Sequence, residues 1–192
     1  MFPGARDPNA PEAYDLSNFT VLVVEDSTYM STLMASMLKA FSVGDIMECH
    51  NAKEAIEVLT VTQARSKSRF ITNVDIVLMD WLMPGGSGEE LLNWIRCHSK
   101  DEIKFMPVVV ISGFTTEKIV AAARDLGANE TLVKPISAKG LASRICNVIE
   151  HPRPFVNIKT YFGPDRRRQE QVINFEDRRK TTAEEIQVVK KK

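Results

Sequence analysis

Three acids, a hydroxyl and an amine stand at the ends of short apolar runs in this 192-residue chain. Glu25 and Asp26 follow FTVLVV (19–24), and Asp80 follows VDIVLM (74–79). Ser112 follows PVVVI (107–111), and Lys134, with Pro135 behind it, follows TLV (131–133). Carboxylates brought together repel, and their pKa values rise unless a cation lies among them. Lys134 supplies one positive charge; a hard divalent cation with oxygen ligands supplies the rest. Mg²⁺, which takes a few carboxylates, waters and a substrate phosphate, suits the set. One carboxylate can then be the nucleophile toward a phosphoryl group and give an acyl phosphate. The equatorial oxygens of the transferred group need neutralising, which the metal, Lys134 and the Ser112 hydroxyl provide.

These residues meet only if the apolar runs are strands of one sheet. The runs are β-branched and apolar almost throughout, the pattern of parallel strands buried on both faces. Helical spacing separates them. Met30, Leu33, Met34, Met37, Leu38 and Phe41 form one face behind Ser27 as N-cap. Residues 45–49 read as a second strand. Asn51 with Glu54 reads as a capped start for a helix holding Ala55, Ile56, Val58 and Leu59. Residues 62–72 read as a polar surface insertion, MPGGSG (83–88) as a Pro/Gly-rich loop, and Gly85 to Gly88 within it as a flexible turn. A helix over 89–98 follows, then one over 116–126 closed by Gly127. Ser137 caps a last helix carrying Leu141, Ile145, Val148 and Ile149. Five rounds of strand and helix predict an α/β fold with a doubly wound five-stranded parallel sheet. In that architecture reactive groups gather at the carboxyl ends of the strands, beside the switch point in strand order.

Charge divides the chain. Residues 1–150 carry 19 acidic and 14 basic side chains, and residues 151–192 carry 6 acidic and 11 basic. The expected organisation is a flexible leader over 1–17, a domain over 18–150 and an extended or partly disordered basic tail over 151–192. No apolar run approaches the roughly 20 residues of a spanning helix. The start does not read as a secretory signal. Cys49, Cys97 and Cys146 form neither a metal-spaced pair nor a disulfide framework, so a reduced, cytoplasmic protein is expected.

The segments VLVVED, VLMDWLMPGGSG, VVVISG and LGANETLVKP together resemble the receiver domain of two-component response regulators, the chemotaxis-type stand-alone kind. The resemblance covers about residues 19–150 and implies the flavodoxin-like receiver fold. It implies Asp80 as phosphoacceptor and Mg²⁺ held by Glu25, Asp26, Asp80 and the Leu82 backbone carbonyl. It implies Ser112 and Lys134 as groups that meet the phosphoryl, and a cis bond between Lys134 and Pro135. The implied partner is a histidine kinase or phosphotransfer protein, and the implied output is altered protein binding. Two departures stand out. Thr131 occupies the place of the family's aromatic switch residue. Leu82 and Phe114, in places that influence acyl-phosphate hydrolysis, cannot hydrogen-bond an attacking water, which predicts a long-lived label.

Two other functions compete. The tail, with Asp165-Arg166-Arg167-Arg168 and Asp177-Arg178-Arg179-Lys180 twelve residues apart, can be a solvated extension or can fold back on the acidic body or a partner. It can also bind nucleic acid through arginines and aromatics over 152–192, making the chain a receiver-fold module without phosphotransfer. An aspartyl phosphohydrolase is the other rival; it wants a second acid where Leu82 stands. His50, His98 and His151 are scattered and suggest no metal site.

Overall fold

The computed structural model describes residues 16–64, 73–84, 87–113, 117–159, 161–166 and 187–189. Most of the leader, residues 65–72 of the insertion, Gly85, Gly86, Phe114 and the second arginine cluster lie outside them. Five parallel strands make the main sheet in the order β2-β1-β3-β4-β5. They are β1 (Thr20–Val24), β2 (Asp45–Cys49), β3 (Ile76–Asp80), β4 (Val108–Ser112) and β5 (Glu130–Val133). Helices α1 (Thr28–Ala40), α2 (Ala52–Ala64), α3 (Gly88–Cys97), α5 (Glu117–Asp125) and α6 (Ala138–Glu150) alternate with them, and a short α4 (Asp101–Lys104) precedes β4.

Strands β1, β3 and β4 are buried along their whole length. Because side chains alternate across a strand, their residues sort into two cores. Leu22, Val24, Val77, Met79, Val108 and Val110 meet Leu59, Leu91, Ile95 and Ala123 on the α2, α3 and α5 side. Val21, Val23, Ile76, Leu78, Val109 and Ile111 meet Met34, Leu38, Leu141 and Ile145 on the α1 and α6 side. The continuous apolar runs are therefore the price of two covered faces. The Met-rich face of α1 is core packing, with Met34 fully buried.

Caps fix the helix starts. Ser27 accepts from the Met30 N–H, Ser87 from the Glu90 N–H and Ser137 from the Gly140 N–H. Asn51 accepts from the Glu54 N–H, and Glu54 accepts in return from the His50 N–H. Two boundaries differ from the expectation. Thr62 and Gln63 are buried in α2 rather than part of an insertion, and Gln63 donates from its amide to the Val74 carbonyl at 2.9 Å. Ser87 and Gly88 are the cap and first residue of α3 rather than a flexible turn.

Part of the tail lies within the described residues, and there it folds back on the body, one of the alternatives left open above. Within its described residues, β6 (Phe155–Ile158) and β7 (Tyr161–Pro164) pair antiparallel, and β8 (Gln187–Val189) pairs with β6. The hairpin seats on the amino ends of β4 and β5. Phe155 and Phe162 pack on Phe105 with ring centroids 4.8 and 5.3 Å away, the first tilted and the second edge-on, contacts worth about 0.5–1.5 kcal/mol each beyond burial. Arg96 lies under the Phe155 ring at 5.2 Å, and Lys104 lies over Phe162 at 4.0 Å. Arg166, the first arginine of its cluster, is held by Asp125 at 2.6 Å and sits over Tyr161. Aromatic area and a backbone able to approach closely thus outweigh the solvation of the local charges.

Gly127 is central to that approach. Its φ is +94°, and a Cβ there would lie 2.8 Å from the Phe162 carbonyl oxygen. Gly127→Ala is expected to cost about 2–3 kcal/mol, from left-handed backbone strain plus the displaced hairpin. Urea denaturation checks it; a loss below about 0.5 kcal/mol would mean that the hairpin is not seated as described.

Candidate functional site

The chain runs from β1 to edge strand β2, then crosses back to β3 on the other side of β1. The crevice between β1 and β3 is the switch point, and the carboxyl ends of β1, β3, β4 and β5 surround it. Glu25 follows β1 and is only 1% exposed. Its N–H donates to the Cys49 carbonyl at 3.0 Å, which holds the end of β1 against β2. Asp80 is the last residue of β3 and is buried. Asp26 is exposed, so the cluster opens to solvent on that side. Carboxylate oxygens of Glu25, Asp26 and Asp80 all lie within 4.8 Å of one another.

Lys134, just past β5, reaches across. Its Nζ donates to Asp80 Oδ2 and to Glu25 Oε2, both at 2.8 Å. Its own N–H donates to the Ser112 carbonyl at 2.8 Å, tying the ends of β4 and β5 together. The Lys134–Pro135 bond is cis. Ser112 ends β4, whose register sets Ile111 beside Asp80 and Ser112 beside Val133. The Leu82 N–H donates to Asp80 Oδ1 at 3.2 Å, and the Leu82 side chain is 49% exposed. Thr131 stands further back in β5, opposite Val110.

Burial pushes the Glu25 carboxyl up and the charge of Asp80 adds to this, while the bond to Lys134 works against it. For Lys134 burial works downward, but the hydrogen bonds and charges of Asp80 and Glu25 outweigh it and hold the ammonium above its ordinary range. Lys134 is therefore a fixed cation at neutral pH. Three carboxylates against one ammonium leave an excess of two negative charges, the charge that a divalent cation matches. The all-oxygen donor set is the kind that Mg²⁺ takes, so the residues fit that ion. A buried ion pair is weak evidence for a stabilising role, so the arrangement is better explained by chemistry.

Of the residues singled out in the sequence, Glu25, Asp26, Asp80 and Lys134 come together, with Ser112 and Leu82 adjoining. Gly88 was missed as a site residue. A Cβ there would fall 2.4 Å from the Asp80 carbonyl oxygen, and its N–H donates to the Trp81 carbonyl at 3.1 Å. Only glycine lets α3 begin this close to the end of β3. Its position eight residues after an acid at a strand end was the available signal.

A family model described as the response regulator receiver domain matches residues 21–146. The chain is 30% identical over 139 residues to chemotaxis protein CheY-3 of Vibrio cholerae, covering 72% of this chain and 98% of that protein. It is 29% identical to two-component response regulator ORR6 of Oryza sativa, over 69% of this chain and 72% of that one. Among solved structures, a putative response regulator from Chloroflexus aurantiacus superposes with a TM-score of 0.57 at 23% identity, covering 69% of this chain and 98% of that one. A CheX–CheY–BeF3–Mg complex from Borrelia burgdorferi gives 0.59 at 24% identity, over 68% and 89% of the two chains. At those identities the structures establish the shared fold.

Proposed function

The chain belongs to the response regulator receiver family, and from that premise we propose that it is a phosphoacceptor switch charged on Asp80 by a histidine kinase or phosphotransfer protein. The observation that carries this reading is Lys134 Nζ held 2.8 Å from Asp80 beside two further carboxylates. Asp80 attacks the phosphorus of a phosphohistidine in line. The new P–O bond forms as the P–N bond breaks, and the imidazole leaves neutral because its other nitrogen carries a proton. Lys134 and the Ser112 hydroxyl meet the oxygens of the transferred group. Glu25 and Asp26, directly or through water, with Asp80 and the Leu82 carbonyl would hold Mg²⁺, whose charge offsets that of the phosphoryl group.

The phosphoryl group then shifts an equilibrium of the segment after Ser112 and of the face formed by α5 and β5, and the output is altered protein binding. Thr131 leaves no aromatic ring to swing inward, so Ser112 is the switch residue in this account. The nucleic-acid reading loses ground because Arg166 is already engaged by Asp125 and Tyr161. No helix among the described residues is long and apolar enough to cross a membrane.

Incubation with a small phosphodonor and Mg²⁺ tests the proposal by intact mass. The expected result is a gain of one phosphoryl group, abolished by chelator and absent in Asp80→Asn. A gain that persists in Asp80→Asn would place the acceptor elsewhere. The label should also be slow to hydrolyse, because the apolar Leu82 side chain beside the acceptor cannot orient water. Leu82→Asn is expected to shorten its lifetime about tenfold, a small share of what positioned acid–base groups supply in enzymes. Equal decay in the two proteins, followed by mass or radiolabel, would contradict this.

A further inference from the structure

The residues matched by the receiver family end at 146, so the hairpin of β6 and β7 is additional to it. The hairpin lies at the pole opposite the acidic crevice and grips what surrounds the end of α5. Arg166 holds Asp125, the last residue of α5, at 2.6 Å. Gly163 lies against Gly127, so that a Cβ on it would fall 2.7 Å from the Gly127 Cα. Arg153 donates to the Asp165 carbonyl and faces Glu130 at 4.0 Å.

Helix α5 connects the two poles. It starts five residues after Ser112 and runs nine residues, about 13 Å. It is also loosely seated. Among its described side chains only Ala123 is fully buried, whereas α1 buries four and α6 three. A narrow cleft of about 10 Å³, room for a single water, lies between it and the sheet, with Ile119, Val120 and Ala123 on one wall and Ser112 and Thr131 on the other. Ser112 thus borders both the acidic crevice and the cleft. A helix that buries so few of its side chains is held to the sheet by little contact area, and such elements are the ones that take a second arrangement most readily.

We propose that the hairpin of β6 and β7, with Arg166 behind it, is a built-in clamp on α5, and that its docking and a phosphoryl group on Asp80 oppose one another. When the Ser112 hydroxyl is drawn to the phosphoryl group, one wall of the cleft changes and α5 shifts over it. The far end of α5 carries Asp125 with it, and the Gly127–Gly163 contact is too close to follow without parting. Thermodynamic reciprocity then requires that the docked hairpin weaken phosphoryl binding by the factor by which phosphoryl weakens docking. The inference rests on Asp80 being the acceptor.

The test uses the full chain with beryllofluoride and Mg²⁺ as the phosphoryl mimic, with Trp81, next to Asp80, as a fluorescent reporter of binding. Amide hydrogen exchange of residues 155–158 and 161–163 is followed with and without the mimic. Exchange should quicken at least fivefold on binding, the lower end of ordinary coupling factors. Gly163→Val, whose side chain cannot fit against Gly127, should bind the mimic more tightly by the same factor. Should that variant not fold, the exchange of the unaltered chain decides alone. Binding reported by Trp81 with unchanged hairpin exchange would overturn the clamp and leave the acceptor in place. A Trp81 signal that never responds would overturn the acceptor reading and the clamp with it.

Discussion

Lys134→Met is expected to slow phosphoryl uptake by on the order of 100- to 1,000-fold, the effect of removing one charge-stabilising donor from a preorganised site. Methionine keeps most of the stem and removes the ammonium that lies 2.8 Å from both Asp80 and Glu25. The loss falls on the step in which negative charge gathers between Asp80 and the donor. Cation binding should respond in the opposite sense. With the competing ammonium gone, the carboxylates of Glu25, Asp26 and Asp80 should hold Mg²⁺ at least as tightly as before. Pseudo-first-order labelling by a small phosphodonor and a Mg²⁺ titration read by Trp81 fluorescence separate the two. Labelling within about threefold of the unaltered protein would make Lys134 a mere strut between strand ends.

Arg96→Met should be the most damaging single change to stability, at about 3–5 kcal/mol. Arg96 is buried near the end of α3 and donates to the carbonyls of Gly127, Lys104 and Met106 and to Asn129 Oδ1, all at 2.8–3.0 Å. Burial lowers its guanidinium to about 9, still a cation at neutral pH. It binds α3, the α4–β4 connection and the start of β5 to one point, and supports the Phe155 ring of the hairpin. A methionine fills similar volume but strands three carbonyls, those of Gly127 and Met106 buried and that of Lys104 partly so. Asn129 keeps its bond from the Val108 N–H, so it loses less. Arg96→Lys should not rescue, because one ammonium cannot reach four acceptors in this fork. The midpoint of thermal unfolding should fall by on the order of 10 °C. A shift under about 2 °C would mean that those carbonyls find other partners.

Much of this was legible in the sequence because the sheet is covered on both faces. Full coverage leaves uninterrupted runs such as FTVLVV and PVVVI, and in a parallel sheet the residue ending each run lands at a common edge. Glu25, Asp80, Ser112 and Lys134 could therefore be placed together from position alone. Arg96 could not. In LLNWIRC it reads as the polar side of a helix, and only the carbonyls of Gly127 and Met106 in loops and of Lys104 at the end of α4 show why it is buried. The hairpin was hidden for a similar reason. FVNI and YFGP are strand-like around Lys159 and Thr160, but the excess of arginine outweighed them. Their burial depends on Phe105 and Gly127, which belong to other parts of the chain. Thr62 and Gln63 misled because polar residues at a helix end look solvated until the Val74 carbonyl is found beside them.

Borohydride reduction of the charged protein tests the central claim most directly, because hydride converts an aspartyl phosphate to homoserine at the residue that carried it. After incubation with a small phosphodonor and Mg²⁺, peptide mass spectrometry should find homoserine at position 80 alone. Reduction product at position 26, at another residue or nowhere would contradict the account.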